Sequence, residues 1–199
     1  MTVSLLAYGA GNIASVRFAF ERLGAAVELV STPDAIAAAE RLVLPGVGAA
    51  GYAMARLRDL GVVEAIRAFP RPLLGVCLGQ QLLFETSVED GGAELLGLIP
   101  GRVEAIVPAA DRPVPHMGWS RLTRRVDHPL LAGVEDGAWA YFVHGFVCPD
   151  GPATLAAASY GGPVPAVVAD GHRMGCQFHP ERSAAAGQRI LQNFLELPA

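Results

Sequence analysis

The sequence predicts an α/β fold: a mostly parallel, flavodoxin-like sheet flanked by helices, with an antiparallel extension in its C-terminal half. Three observations predict it. Up to Thr86, short continuous apolar segments alternate with helical periodicity, which marks strands buried on both faces. Beyond Gly101 the helical patterns stop and short strand candidates follow one another. No repeat, low-complexity segment or long linker divides the 199 residues, so residues 1–199 are expected to form one domain.

Each element has a local reason. Val3–Ala7 is a short apolar strand. Asn12 is placed to cap a helix whose Ile13, Val16, Phe20 and Leu23 share a face, and Gly24 ends it. Val27–Val30 is the next strand, Pro33–Glu40 a helix opened by proline, and Leu42–Leu44 a strand stopped by Pro45-Gly46. Tyr52–Leu60 and Val62–Phe69 read as helices broken at Gly61. Pro72–Val76 is a strand, and Leu78–Thr86 a helix. The later strand candidates are Gly101–Ile106, Val114–Met117, Trp139–Val143, Thr154–Ala158, Val164–Ala169 and His172–Phe178. A last helix follows Ser183, with Ile190, Leu191, Phe194 and Leu195 on its apolar face.

The bulk composition narrows the function. Although 52% of residues are hydrophobic, no apolar run approaches the ~20 residues of a membrane helix. The first charge is Arg17, so the N-terminus does not resemble a signal peptide. A net charge of −4 without basic clusters argues against nucleic acid or an anionic membrane as partner. Cys77, Cys148 and Cys176 have no CxxC spacing. They suit reduced thiols in a cytoplasmic protein and give no zinc or other metal site.

The chemistry concentrates at Gly75-Val76-Cys77-Leu78-Gly79. An apolar strand runs through Gly-x-Cys-x-Gly directly into a helix, the nucleophile-elbow pattern with cysteine as nucleophile. The glycines allow the sharp turn, and the helix start favours a thiolate. The N–H of Leu78 is placed to donate to an oxyanion. In Gln177-Phe178-His179-Pro180-Glu181 the carboxylate can hold one imidazole nitrogen while the other faces a nucleophile. His144 has no acid beside it and reads as a structural or pocket residue. The loop after Leu42–Leu44 ends on the same sheet edge as Cys77, where Val47 and Gly48 can offer a second oxyanion donor. Gly9-Ala10-Gly11-Asn12 is an incomplete phosphate-loop fingerprint, because Ala14 replaces its third glycine; a close strand–helix turn fits better.

Taken together, these motifs resemble the class I, triad-type glutamine amidotransferases. Tyr8-Gly9-Ala10-Gly11-Asn12, Pro45-Gly46-Val47-Gly48, Val114-Pro115-His116-Met117-Gly118-Trp119, Tyr141-Phe142-Val143-His144 and Gln177 to Ser183 occur in the order found in one subfamily, the glutaminase subunits of imidazole glycerol phosphate synthase. The resemblance covers nearly the whole chain and implies a class I glutamine amidotransferase-like fold. It implies hydrolysis of glutamine through a thioester on Cys77, with His179 as base and Glu181 orienting it. It puts Val47, Gly48 and Leu78 at the oxyanion hole, and Gly46, Gln81, Glu89, Gly145 and Phe146 around the substrate. It implies no cofactor. Ammonia would pass to a separate (β/α)8 cyclase subunit, with Asn12, Trp119, Tyr141 and Arg182 at or near that interface. The free subunit would be nearly silent until its partner reorients the Val47–Gly48 peptide. Three positions depart from the subfamily: Gly145-Phe146 lacks two hydroxyls, Gln80 replaces methionine, and Ser120 replaces asparagine. Two other readings fit the motifs less fully: another glutaminase of this fold, such as that of a pyridoxal phosphate synthase, or a non-catalytic binding module.

Overall fold

A computed structural model describes residues 1–9 and 12–198. The chain begins with β1 (Thr2–Leu6), α1 (Ile13–Arg22), β2 (Ala26–Val30), α2 (Pro33–Ala38) and β3 (Leu42–Gly46). It continues through α3 (Ala50–Asp59), α4 (Val63–Arg67), β4 (Leu73–Cys77) and α5 (Leu78–Leu82). Short strands follow: β5 (Thr86–Ser87), β6 (Ala93–Glu94), β7 (Arg102–Ala105), β8 (His116–Arg121), β9 (Thr123–Arg124), β10 (Trp139–His144) and β11 (Phe146–Val147). The last elements are β12 (Thr154–Ser159), β13 (Pro163–Asp170), β14 (Arg173–Cys176) and α6 (Ala184–Glu196).

The main sheet has the order β2-β1-β3-β4-β14-β13-β12-β9. From β2 to β14 every pairing is parallel, and from β14 to β9 every pairing is antiparallel. The predicted parallel half and antiparallel extension therefore lie in one sheet. β8 and β10 form a separate antiparallel ribbon, and β11-β7-β5-β6 a small sheet.

The period of two along each strand splits the core. Val3, Leu5, Val43, Leu74 and Val76 pack on one face with Phe20 of α1 and Phe194 of α6. Leu6, Leu42, Leu44 and Leu73 pack on the other, with Ile36, Met54, Leu57 and Ile66 from α2, α3 and α4. Burial on both faces explains why these strands read as unbroken apolar runs.

Several boundaries differ from the sequence reading. The helix expected over Leu78–Thr86 stops at Leu82, because Glu85 N–H turns to the Gly101 carbonyl and Thr86 pairs with Arg102 of β7. Apolarity alone could not separate this helix end from the strand that follows. The strand expected at Val114–Met117 is displaced: β8 runs from His116 to Arg121, in register with the whole of β10. β14 ends at Cys176 rather than Phe178. Ala10 and Gly11 of the glycine turn lie outside the described residues.

Candidate active site

β3 and β4 end side by side, with Gly46 opposite Cys77. At that edge the chain turns sharply, and Cys77 takes φ 54°, ψ −109°, a conformation that costs a residue with a Cβ of order 1–3 kcal/mol. Close packing enforces the turn. A Cβ on Gly79 would lie 1.8 Å from the Leu44 carbonyl oxygen, and one on Gly75 2.4 Å from the Gly79 oxygen. Gly46 is less tightly confined: a Cβ there would lie 2.9 Å from both Leu78 Cβ and the Tyr8 hydroxyl. Tyr8, fully buried, donates to the Pro45 carbonyl at 2.7 Å, which ties β1 to the start of the Val47–Gly48 loop. Burial, and Cys77 beside it, push the Tyr8 phenol well above its ordinary range, so it stays a donor.

The Cys77 sulfur opens into a cavity of about 290 Å³. Val47, Gly48, Leu78, Gln81, Glu89, Gly145, Phe146 and His179 line it, so nine of the sequence-predicted site residues, Cys77 included, meet there. On one side His179 lines the cavity together with Cys77. On the other, its Nδ1 is 2.9 Å from Glu181 Oε1, and the Glu181 side chain is 2% exposed. Burial pushes the imidazole down, but Cys77 and Glu181 outweigh it and raise it to about 10. His179 thus holds its proton at neutral pH.

The backbone around His179 is fixed by β10. His179 N–H donates to the Tyr141 carbonyl at 2.9 Å. Ser183, fully buried, accepts from Tyr141 N–H at 2.9 Å and donates to the His179 carbonyl at 2.7 Å.

Of the other predicted residues several lie outside the cavity, and Glu89 has a second role. Gly46 packs beneath the loop rather than lining the cavity. Glu89 lines the cavity, and it also caps α3: its Oε2 accepts from Ala50 N–H at 2.6 Å. Asn12 caps α1 by accepting from Ser15 N–H. Trp119 and Tyr141 face each other across the β8–β10 ribbon, edge-on at 5.8 Å, and Trp119 is half exposed. Arg182 is exposed on the turn before α6. Among the described residues, no His, Cys, Asp and Glu cluster is arranged to hold a metal.

Sequence reasoning missed three groups. Gln177, fully buried, accepts from Gln81 Nε2 at 3.0 Å and places its own Nε2 3.9 Å from Cys77 Sγ. Its position on the His179 side of the strand was a usable signal. The Val143 carbonyl lies 3.7 Å from Cys77 Sγ. A thiol can donate to that oxygen, and a thiolate can accept from Gln177. Tyr8 was visible only as part of a glycine motif. Gln80, the departure closest to Gln81, points away from the cavity and donates to the Pro165 carbonyl at 3.0 Å.

A family model described as Glutamine amidotransferase class-I matches residues 5–197. The chain belongs to the class-I glutamine amidotransferase family. Within that family it is 52% identical over 195 residues to "Imidazole glycerol phosphate synthase subunit HisH" of Xanthomonas axonopodis pv. citri, covering 98% of this chain and 97% of that protein. The protein of the same name from Xylella fastidiosa (strain Temecula1) is 50% identical over 197 residues, with 99% and 98% covered. Among solved structures, one titled "Crystal structure of glutamine amidotransferase" superposes with a TM-score of 0.75 at 23% identity, covering 98% of this chain and 97% of that one. A chain of "Structure of PurLQS from Thermotoga maritima" superposes with a TM-score of 0.71 at 19% identity, with 98% and 97% covered. Those likenesses establish the fold, while the more similar HisH proteins place the chain among the components of a multi-subunit synthase.

Proposed function

We propose that the chain is the glutaminase subunit of an imidazole glycerol phosphate synthase. The observation that carries this reading is the line Cys77–His179–Glu181, whose first two members meet in a cavity sized for an amino acid. Ligand pockets for larger molecules start near about 300 Å³, and this cavity is about 290 Å³.

The chemistry follows from the geometry. Cys77 and Glu181 raise His179, which suits it to take and hold the thiol proton of Cys77. The sulfur of Cys77 attacks the glutamine side-chain carbonyl. The N–H of Leu78, with the backbone at Val47–Gly48, stabilises the oxyanion. His179 gives its proton to the departing ammonia, which leaves a γ-glutamyl thioester. His179 then takes a proton from water as water attacks, and glutamate is released. Glu181 holds Nδ1 throughout. Gln81, Glu89, Gly145 and Phe146 surround the rest of the substrate, with the Glu89 carboxylate suited to its ammonium group. That carboxylate is pushed upward, mainly by burial.

Ammonia passes to a separate cyclase subunit of (β/α)8 architecture, in the cytoplasm. Among the described residues, no helix is long and apolar enough to cross a membrane. The exposed aromatic face at Trp119 and Tyr141, together with Arg182, suits the docking of that subunit. Gly48, at φ 97° with open space around its Cα, suits a loop that changes conformation on docking. The deciding assay measures glutamine hydrolysis with and without the cyclase and its nucleotide ligand. Maximal hydrolysis by the isolated chain would refute the synthase-subunit reading.

A further inference from the structure

From the cavity wall, which His144 helps to line, a second set of polar side chains runs outward and takes no part in the chemistry above. Ser120 and His116 stand on β8, and His144 stands opposite His116 on β10. Both imidazoles are buried, at 2% and 5% exposure. His116 is sandwiched between the rings of Phe142 and Tyr160, at 4.8 and 4.0 Å. Three hydrogen bonds join these residues in a line. Ser120 Oγ is 2.9 Å from His116 Nε2. His116 Nδ1 is 2.9 Å from His144 Nε2. His144 Nδ1 is 2.7 Å from the Phe146 carbonyl oxygen.

The far end of the line decides where each proton sits. A carbonyl oxygen only accepts, so His144 Nδ1 carries a hydrogen. Burial, the largest influence on both rings, holds His116 and His144 down to about 4, so both are neutral at physiological pH. Neutral His144 then has a bare Nε2, which must accept from His116 Nδ1–H. His116 in turn has a bare Nε2 and accepts from the Ser120 hydroxyl. Every bond runs the same way, from ribbon surface to cavity wall.

The Phe146 oxygen at the end also accepts from Gln81 Nε2 at 3.2 Å. The Gly145 carbonyl is engaged from the opposite side by Ile106 N–H at 2.9 Å. In a trans peptide the Phe146 N–H therefore points away from Ile106, and Phe146 itself lines the cavity. Gly145 and Phe146 have no side-chain hydroxyl, so their backbone orientation is what they can offer a ligand.

We propose that Ser120, His116 and His144 form a proton-ordered relay that fixes the Phe146 peptide and the Gln81 amide, making Ser120 and His116 positioning residues for the glutamine subsite. This rests on the glutaminase reading above, and its test separates the two. Nitrogen-15 NMR of histidine-labelled full chain at neutral pH reads the tautomers without substrate. His116 and His144 should both be neutral and protonated on Nδ1; a ring protonated on Nε2, or on both nitrogens, overturns the relay. In the reconstituted synthase, Ser120→Ala should raise the KM for glutamine about 3- to 10-fold, the range of one lost hydrogen bond, with kcat within about twofold. Ser120→Thr should restore KM. An unchanged KM in Ser120→Ala, or a loss confined to kcat, overturns the positioning role. If the wild-type synthase hydrolyses no glutamine, the glutaminase reading and the glutamine subsite fall together, while the tautomers still decide whether the relay exists.

Discussion

Gly79→Ala tests the elbow at its tightest point. Gly79 lies two residues past Cys77, where α5 crosses the end of β3. The new Cβ would sit 1.8 Å from the Leu44 carbonyl oxygen and 2.9 Å from its carbon. Both atoms are main chain of a strand held between β1 and β4, so no side-chain rotation relieves the clash. Real Cβ atoms keep at least about 3.0 Å, so α5 or β3 must move by about 1.2 Å. Overpacking costs about 1–3 kcal/mol, and a main-chain clash belongs at the upper end, about 3 kcal/mol. At about 2–4 °C per kcal/mol for a chain of this size, Tm should fall by about 6–12 °C. A displacement of this order next to Cys77 should also cost about 10²-fold in turnover. Circular-dichroism melts and a glutamine hydrolysis assay read the two effects. Gly51→Ala, in α3 with open space around its Cα, is the matched control and should stabilise by about 0.5–1 kcal/mol. If Gly79→Ala melted within a degree or so of wild type and kept full turnover, the packing account of the elbow would be wrong.

Other expectations follow from the same site. Cys77→Ala should abolish glutamine-dependent synthesis in the reconstituted complex and leave ammonia-driven synthesis intact; persisting glutamine turnover would remove Cys77 as nucleophile. Glu181→Ala should lower kcat by about 10²-fold, less than His179→Ala, because orientation is one contribution among several; equal losses would contradict an orienting role. Tyr8→Phe strips the partner from the buried Pro45 carbonyl and should cost about 1–3 kcal/mol in denaturant unfolding. The pH dependence of stability has two limbs. His144 falls from an ordinary 6.5 to about 4 on folding, so the unfolded chain binds the extra proton; stability is full above pH 6.5 and declines toward pH 4, by roughly 3 kcal/mol for this residue. His179 rises to about 10, so its contribution is full below pH 6.5 and is lost as pH climbs through about 10. A flat alkaline limb in wild-type melts would contradict the His179 assignment.

The parallel half of the sheet and the elbow are legible in the sequence because their signals are local. Apolar runs, the glycines at 75 and 79, and the two-residue spacing of His179 and Glu181 each act within a few positions. The cavity walls are harder to read. The Val143 carbonyl and the Gln177 amide reach Cys77 across 66 and 100 positions, and a carbonyl carries no residue identity at all. Glu89 reads as a substrate contact alone, and its capping of α3 depends on a fold that brings residue 50 beside it. The helix after Cys77 reads too long because Leu83 and Phe84 fit a helix as well as the turn they occupy. His144 reads in the sequence as a structural or pocket residue and lines the cavity with His179, but its link to His116 arises only from the register of the β8–β10 ribbon.

The bonds between Tyr141 and the His179–Ser183 turn have a consequence for inheritance. Nearly all the groups they use are main chain: the carbonyl and N–H of Tyr141, and the N–H and carbonyl of His179. Only the Ser183 hydroxyl can be altered by mutation. A load placed on the outer face of the ribbon is therefore delivered to the imidazole's own peptide whatever side chains meet the load. The outward-facing residues of β8 and β10 can drift with a changing partner while the lever beneath them stays the same length.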